Sequence, residues 1–143
     1  MVRLLKIENL ACASLYFDVL EDFRDIHEID MSDFMLVKES PCRKYEYLYV
    51  FLPTHQINDF VRLIKEYEIK LYTDVDFTEE LLNIISTNKL SDFKNQFVLD
   101  YNVEFDELID IFYEDHITID FVLDKANDHG FDSLTERDYK VLK

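Results

Sequence analysis

An α+β fold is predicted by three observations. Short runs rich in β-branched and aromatic residues recur through the first half of the chain, and two stretches with apolar residues at helical spacing separate them. Beyond residue 77 the apolar residues recur at the helical period alone. The resulting order is a ferredoxin-like β-α-β-β-α-β unit over residues 1–76, followed by an acidic helical region over 77–143 that ends in a short helix–turn–helix tail.

The first half supplies six elements. Residues 2–7 (VRLLKI) are a short β-compatible run. Residues 13–29 place Leu15, Val19, Leu20, Phe23 and Ile26 on one helical face, with acids opposite. Residues 33–38 (DFMLVK) predict a second strand, and 45–52 (YEYLYVFL) are the clearest strand in the chain. Pro53-Thr54 opens a helix with Thr54 as its cap; Ile57, Phe60, Val61, Ile64 and Tyr67 form its inner face. Residues 69–73 (IKLYT) complete the unit as a fourth strand.

The second half reads as helices. Thr78 followed by Glu79 and Glu80 starts one, with Leu81, Leu82 and Ile85 inward. Ser91 caps the next, whose inner residues are Phe93, Phe97, Val98 and Tyr101. Residues 103–116 carry Phe105, Leu108, Ile109 and Phe112 at the same period. Thr118 caps a helix with the stripe Ile119, Val122, Leu123 and Ala126, and Gly130 ends it in a left-handed conformation. Ser133-Leu134-Thr135-Glu136 predicts a capping box for a last short helix.

Composition narrows the function classes. Of 143 residues 48% are apolar, enough for a packed core despite a net charge of −16. A single glycine excludes both the phosphate-binding P-loop and the dinucleotide fingerprint, so no nucleotide cofactor is expected. The histidines His27, His55, His116 and His129 are scattered near helix ends, and no zinc-protease or calcium-loop spacing occurs. Cys12 and Cys42 suit idle thiols in a reducing compartment. The N-terminal run carries charge too early for a signal peptide, and no stretch approaches a membrane span. A cytoplasmic protein with no metal, no cofactor and no catalytic apparatus is expected.

The charge is concentrated. Residues 1–76 hold 15 acids against 9 bases, and residues 77–143 hold 16 against 6. Between Lys94 and Lys125 there are nine acids and no base. On helices such a run is a solvated face, a surface for a basic partner, or an imitation of a DNA phosphate array.

Two resemblances are local. Leu123-Asp124-Lys125, then Gly130-Phe131-Asp132-Ser133-Leu134-Thr135, Asp138 and Leu142 resemble tails at the ends of otherwise unrelated Bacteroidota and Bacteroidota-phage proteins. This covers about 20 residues and implies lineage and local fold, with no activity attached. Tyr47, Tyr49 and Val50 are similar to the central strand of the RNA-recognition motif, but its glycine and basic residue are missing. The acidity also opposes a phosphate backbone, so direct nucleic-acid binding is not expected.

The function expected is a non-enzymatic protein–protein interaction module, with a phage accessory or virion-associated role the setting that the tail implies. Its partner-binding residues are the acids Glu104, Asp106, Glu107, Asp110, Glu114 and Asp115, together with the aromatic sheet face Tyr45, Tyr47, Tyr49 and Phe51. The partner is a protein with a basic surface, or a second copy of the chain through the aromatic face. That face has another reading: the helical second half folds over it. The alternative function is an acidic DNA mimic that blocks a nucleic-acid-binding host protein.

Overall fold

Strand pairing organises the first half of the chain. The structure, a computed structural model, describes residues 1–7, 21–28, 35–39, 45–67, 71–97 and 105–143. Among them β1 (Val2–Ile7), β2 (Met35–Glu39), β3 (Tyr45–Phe51) and β4 (Leu71–Asp76) form one antiparallel sheet in the order β2-β3-β1-β4. Helix α1 (residues 21–27) lies between β1 and β2, and α2 (Thr54–Glu66) between β3 and β4. This is the ferredoxin-like β-α-β-β-α-β unit. The helices α3 (Thr78–Ser86), α4 (Leu90–Lys94), α5 (Phe105–His116), α6 (Ile119–His129) and α7 (Glu136–Leu142) follow.

The fourth strand, described from Leu71, runs on to Asp76, three residues past its expected end; residues 69 and 70 lie outside the described residues. Asp74 and Asp76 have little intrinsic preference for strands, which hid this end in the sequence. Pairing overrides that preference: Asp74 and Asp76 stand opposite Leu5 and Arg3 of β1, and Arg3 reaches the Asp74 carboxylate at 2.6 Å.

Because side chains alternate along a strand, the register decides which residues meet which layer. Val2 faces Phe51, and Leu4 faces Tyr49, across β1 and β3. Val2, Tyr49 and Phe51 are buried in one cluster with side chains of α3 to α7, and Leu4 packs against it. Leu5 and Val50 are also fully buried but point to the opposite face, the side left for α1 and α2.

On that side α2 buries Ile57, Phe60, Val61, Leu63 and Ile64, close to the predicted face. Phe23 of α1 meets Phe60 edge to face at 5.7 Å. Ile26, expected inward, is 64% exposed instead. His27 takes the inner position: its ring lies 4.4 Å from Phe23, and its Nε2 is 3.3 Å from the Asp59 carboxylate. Thr54 does not cap α2. Pro53 holds the cap position, and the Thr54 hydroxyl lies 2.8 Å from the Met1 sulfur. Leu15, Val19 and Leu20 of the predicted first helix, and both cysteines, lie outside the described residues.

The helical half is ended and started by local hydrogen bonds. Asn88 closes α3 with φ 55, its N–H donating to Ile85 O while Lys89 N–H donates to Ile84 O. That pair of bonds is the Schellman motif, in which asparagine substitutes for glycine. Ser91 falls inside α4 and caps nothing. Thr118 caps α6, as expected, by accepting the Phe121 N–H at 3.1 Å.

Gly130 does end α6, but with φ 86 and ψ 159 it is not in the left-handed helical region. This corner of backbone space is open essentially to glycine only. A Cβ at Gly130 would meet nothing within 4 Å, so any cost of adding one is purely conformational. Gly130→Ala is therefore expected to destabilise the chain by about 1–3 kcal/mol. Urea unfolding measures this; an unchanged midpoint would show that the turn adapts freely.

Candidate partner-binding surface

At Tyr49 and Phe51 of the predicted aromatic face the two halves meet. Tyr49 lies 5.1 Å from Phe77, 5.4 Å from Phe93 and 5.2 Å from Phe97, each ring edge-on to it. Such edge-to-face contacts are the favoured geometry for aromatic pairs. Tyr49 is 6% exposed and Phe51 3%, so both belong to the core and offer no surface to a partner. Of the proposed aromatic contacts, the side chains of Tyr45 and Tyr47 lie outside the described residues, as does Glu104.

The acids behave differently. Helix α5 buries Phe105, Leu108, Ile109, Phe112 and Tyr113, the four predicted residues and one more. Of its other side chains, those at 106, 107, 110, 114 and 115 are carboxylates, all exposed, joined by the exposed Ile111 and the half-buried His116. Asp106, Asp110 and Glu114 succeed each other one turn apart, about 6 Å along the axis. Like charges at that spacing repel by about 0.2–0.5 kcal/mol per pair.

The tail answers part of this charge. Arg137 of α7 places Nε 2.7 Å from Asp110 and Nη2 3.0 Å from Asp106. Burial opposes its charge, but the hydrogen bonds that Arg137 donates to Asp110 and Asp106, with the charges of those carboxylates, outweigh burial and raise its pKa further. No cation is near these acids in sequence; the fold supplies one from a residue more than twenty positions away.

At the other end of α5, Glu114 and Asp115 sit in the last turn, where the helix dipole disfavours negative charge. Glu114 makes no ion pair among the described residues. His116, which follows them, accepts or donates a hydrogen bond at 2.9 Å with the Met1 amine. Burial pushes both groups toward their neutral forms, with Asp115 and Asp76 opposing. On α6, Asp120, Asp124 and Asp128 succeed each other one turn apart and are all exposed.

No family model matches the chain, and neither a curated protein nor a solved structure matches it. The geometry must therefore carry the functional argument by itself. Among the described residues no group of three His, Cys, Asp or Glu is placed to hold a metal ion, and no helix is long and apolar enough to cross a membrane.

Three of the tail residues singled out by resemblance, Lys125, Thr135 and Asp138, come together in a buried polar network that spacing did not reveal. Lys125 Nζ donates to Asp138 Oδ2 and to Asn88 Oδ1, both at 2.7 Å. Tyr113 donates to Asp138 Oδ1 at 3.0 Å, and the Thr135 N–H donates to Oδ2 at 2.9 Å. Lys125 and Asp138 are only 2% and 0% exposed. Burial alone would raise the Asp138 pKa, but bonds from Lys125 and the Thr135 backbone hold it below the usual carboxylate range. Burial, and then the neighbouring Asp138 charge, push the Tyr113 hydroxyl well above its ordinary value.

Asp138 also completes the capping box of α7, because Thr135 Oγ1 accepts its N–H. The box thus lies at Thr135 and Asp138, two residues beyond the predicted Ser133 and Glu136. Both quartets fit the capping pattern. Ser133 instead donates to Gly130 O within the 3-10 turn Phe131–Ser133. One signal was present in the sequence: a second Thr-x-x-Asp quartet overlapping the first.

Two members of the predicted apolar stripe on α6 also need correction. Val122 and Ala126 are buried, but Ile119 and Leu123 are 54% and 42% exposed. The α6 face that turns inward is rotated toward Lys125, because Lys125 has a buried carboxylate to reach.

Proposed function

We propose that this chain is a non-enzymatic protein–protein interaction module that meets a basic partner through the acidic outer surface of α5 and α6. The carrying observation is the position of Glu114 and Asp115: exposed carboxylates in the last turn of α5, against the helix dipole. Each such placement costs roughly 0.3–1 kcal/mol; the Met1 amine offsets part of that cost at Asp115, whereas Glu114 has no ion pair among the described residues to offset it. An approaching cation gains from both carboxylates and the dipole, and complementary potential speeds encounter. The tail resemblance implies a phage accessory or virion-associated setting.

The DNA-mimic reading has weaker support. Arg137 offsets two carboxylates of the α5 row, which interrupts a phosphate-like array.

The test neutralises Glu114, Asp120 and Asp124 together, as Gln or Asn, leaving Arg137 and its two partners intact. The variant is expected to melt close to the parent temperature, since the repulsion relieved in the last turn of α5 is set against the loss of the Asp120 charge from the first turn of α6. Cross-linking in host lysate at low salt is expected to capture basic proteins at fixed stoichiometry with the parent chain and to lose them with the variant. Equal capture by both chains would make this surface merely a solvated face. Displacement of the captured protein by duplex DNA would favour the mimic.

A further inference from the structure

Beside the acidic face of α5 lies a depression of about 160 Å³. Phe51 and Leu52 at the end of β3, Pro53 at the start of α2, and Phe112 of α5 give it an apolar lining. Ile111, 38% exposed, and the exposed Asp115 line its α5 side, and Met1 also borders it, its amine pushed by burial toward the neutral form that leaves Asp115 open to another cation. Small-molecule pockets usually enclose about 300–1,000 Å³. This space is too small for a cofactor but suited to one large apolar side chain.

The depression and the acids are set on one helix. Ile111 and Asp115 are one turn apart, and Glu107 and Glu114 flank the same outward face. An occupant therefore meets apolar walls and carboxylates within a single helical turn. Ile111 on its own would be an ordinary exposed apolar residue; beside an apolar depression it extends a contact surface.

We propose that this depression anchors a basic amphipathic segment of the partner. One large apolar side chain enters between Phe112 and Leu52, and a lysine or arginine a turn away on that segment meets Asp115 and Glu114. This inference rests on the acidic-surface reading above and adds a defined contact point to it. Buried apolar anchors ringed by polar contacts carry most of the energy of protein interfaces, whereas rim charges set specificity and encounter rate. Acidic amphipathic segments are excluded by repulsion, and basic segments without a large apolar side chain lose the anchor.

The experiment uses the full chain, isotope-labelled, and three synthetic peptides. The first is an amphipathic helix of leucine and lysine; the second replaces its leucines by serine; the third replaces its lysines by glutamate. The leucine–lysine peptide is expected to bind about tenfold or more tighter than the serine–lysine peptide, with shifted resonances at Leu52, Ile111 and Phe112. The glutamate peptide is expected not to bind. Ile111→Arg is expected to weaken the first peptide about tenfold without lowering the melting temperature, and Asp115→Asn to weaken it less.

Equal binding of the first two peptides, unaffected by Ile111→Arg, would overturn the anchor and leave the acidic surface standing. Resonance shifts confined to other surfaces would overturn it as well. Failure of both lysine peptides to bind would sink the anchor and the acidic-surface reading together.

Discussion

Replacing Lys125 by methionine is expected to cost about 3–5 kcal/mol of unfolding free energy, because it strands the Asp138 carboxylate without its cation in the core. The pair at 2.7 Å links α6 to α7, while Asn88 and Tyr113 tie in the turn after α3 and helix α5. Urea unfolding near neutral pH measures the loss. The double variant Lys125→Met/Asp138→Leu is expected to recover most of it, since a buried ion pair is often no better than an apolar pair of similar volume. A loss under about 1 kcal/mol for Lys125→Met would mean that the carboxylate reaches water or another cation.

The same network sets a pH dependence whose sign follows from the pKa shifts. Asp138 is held below its unfolded value, so its stabilisation is present above about pH 4 and disappears as pH falls through the folded pKa. Tyr113 is shifted upward, so its contribution is present below about pH 10 and is lost as pH rises further. Asp138→Asn should therefore flatten the acid limb of the stability profile. Tyr113→Phe should flatten the alkaline limb.

Tyr49→Ala is expected to be comparably severe, at about 3–5 kcal/mol, although a sheet residue facing solvent would cost less than about 0.5 kcal/mol. The reason is that Tyr49 supports three aromatic rings from the second half of the chain, Phe77, Phe93 and Phe97. Their packing is the joint between the sheet and the helices, so loss of the ring leaves a cavity that no single helix can fill. Chemical denaturation of the variant provides the measurement. A small change would place the aromatic face outside the core and restore it as a candidate interface.

The candidate surface was half legible. Residues 106, 107, 110, 114 and 115 fall outward on α5 because the apolar residues between them fix the helix rotation, which period alone reveals. Arg137 was not legible as their partner, because an ion pair between α5 and α7, with the whole of α6 between them in the chain, follows no local spacing rule. Tyr49 and Phe51 were legible as sharing a face with each other. Whether a partner or the chain itself covers that face depends on where α3 to α5 pack, and alternation carries no information about that.

By itself the sequence determined the order of elements, the apolar faces of α2, α3 and α5, the Thr118 cap and the need for a glycine after α6. These follow from local physics: side-chain periodicity, capping hydrogen bonds and backbone sterics act over a few residues. The tertiary structure alone decided three things. It extended β4 through two aspartates because β1 offered pairing and Arg3. It chose Thr135 over Ser133 as the cap of α7, because Asp138 can be buried only where Lys125 reaches it. It also covered Tyr49 and Phe51 of the aromatic sheet face from within, because burying those rings against the helices removes their apolar surface from water.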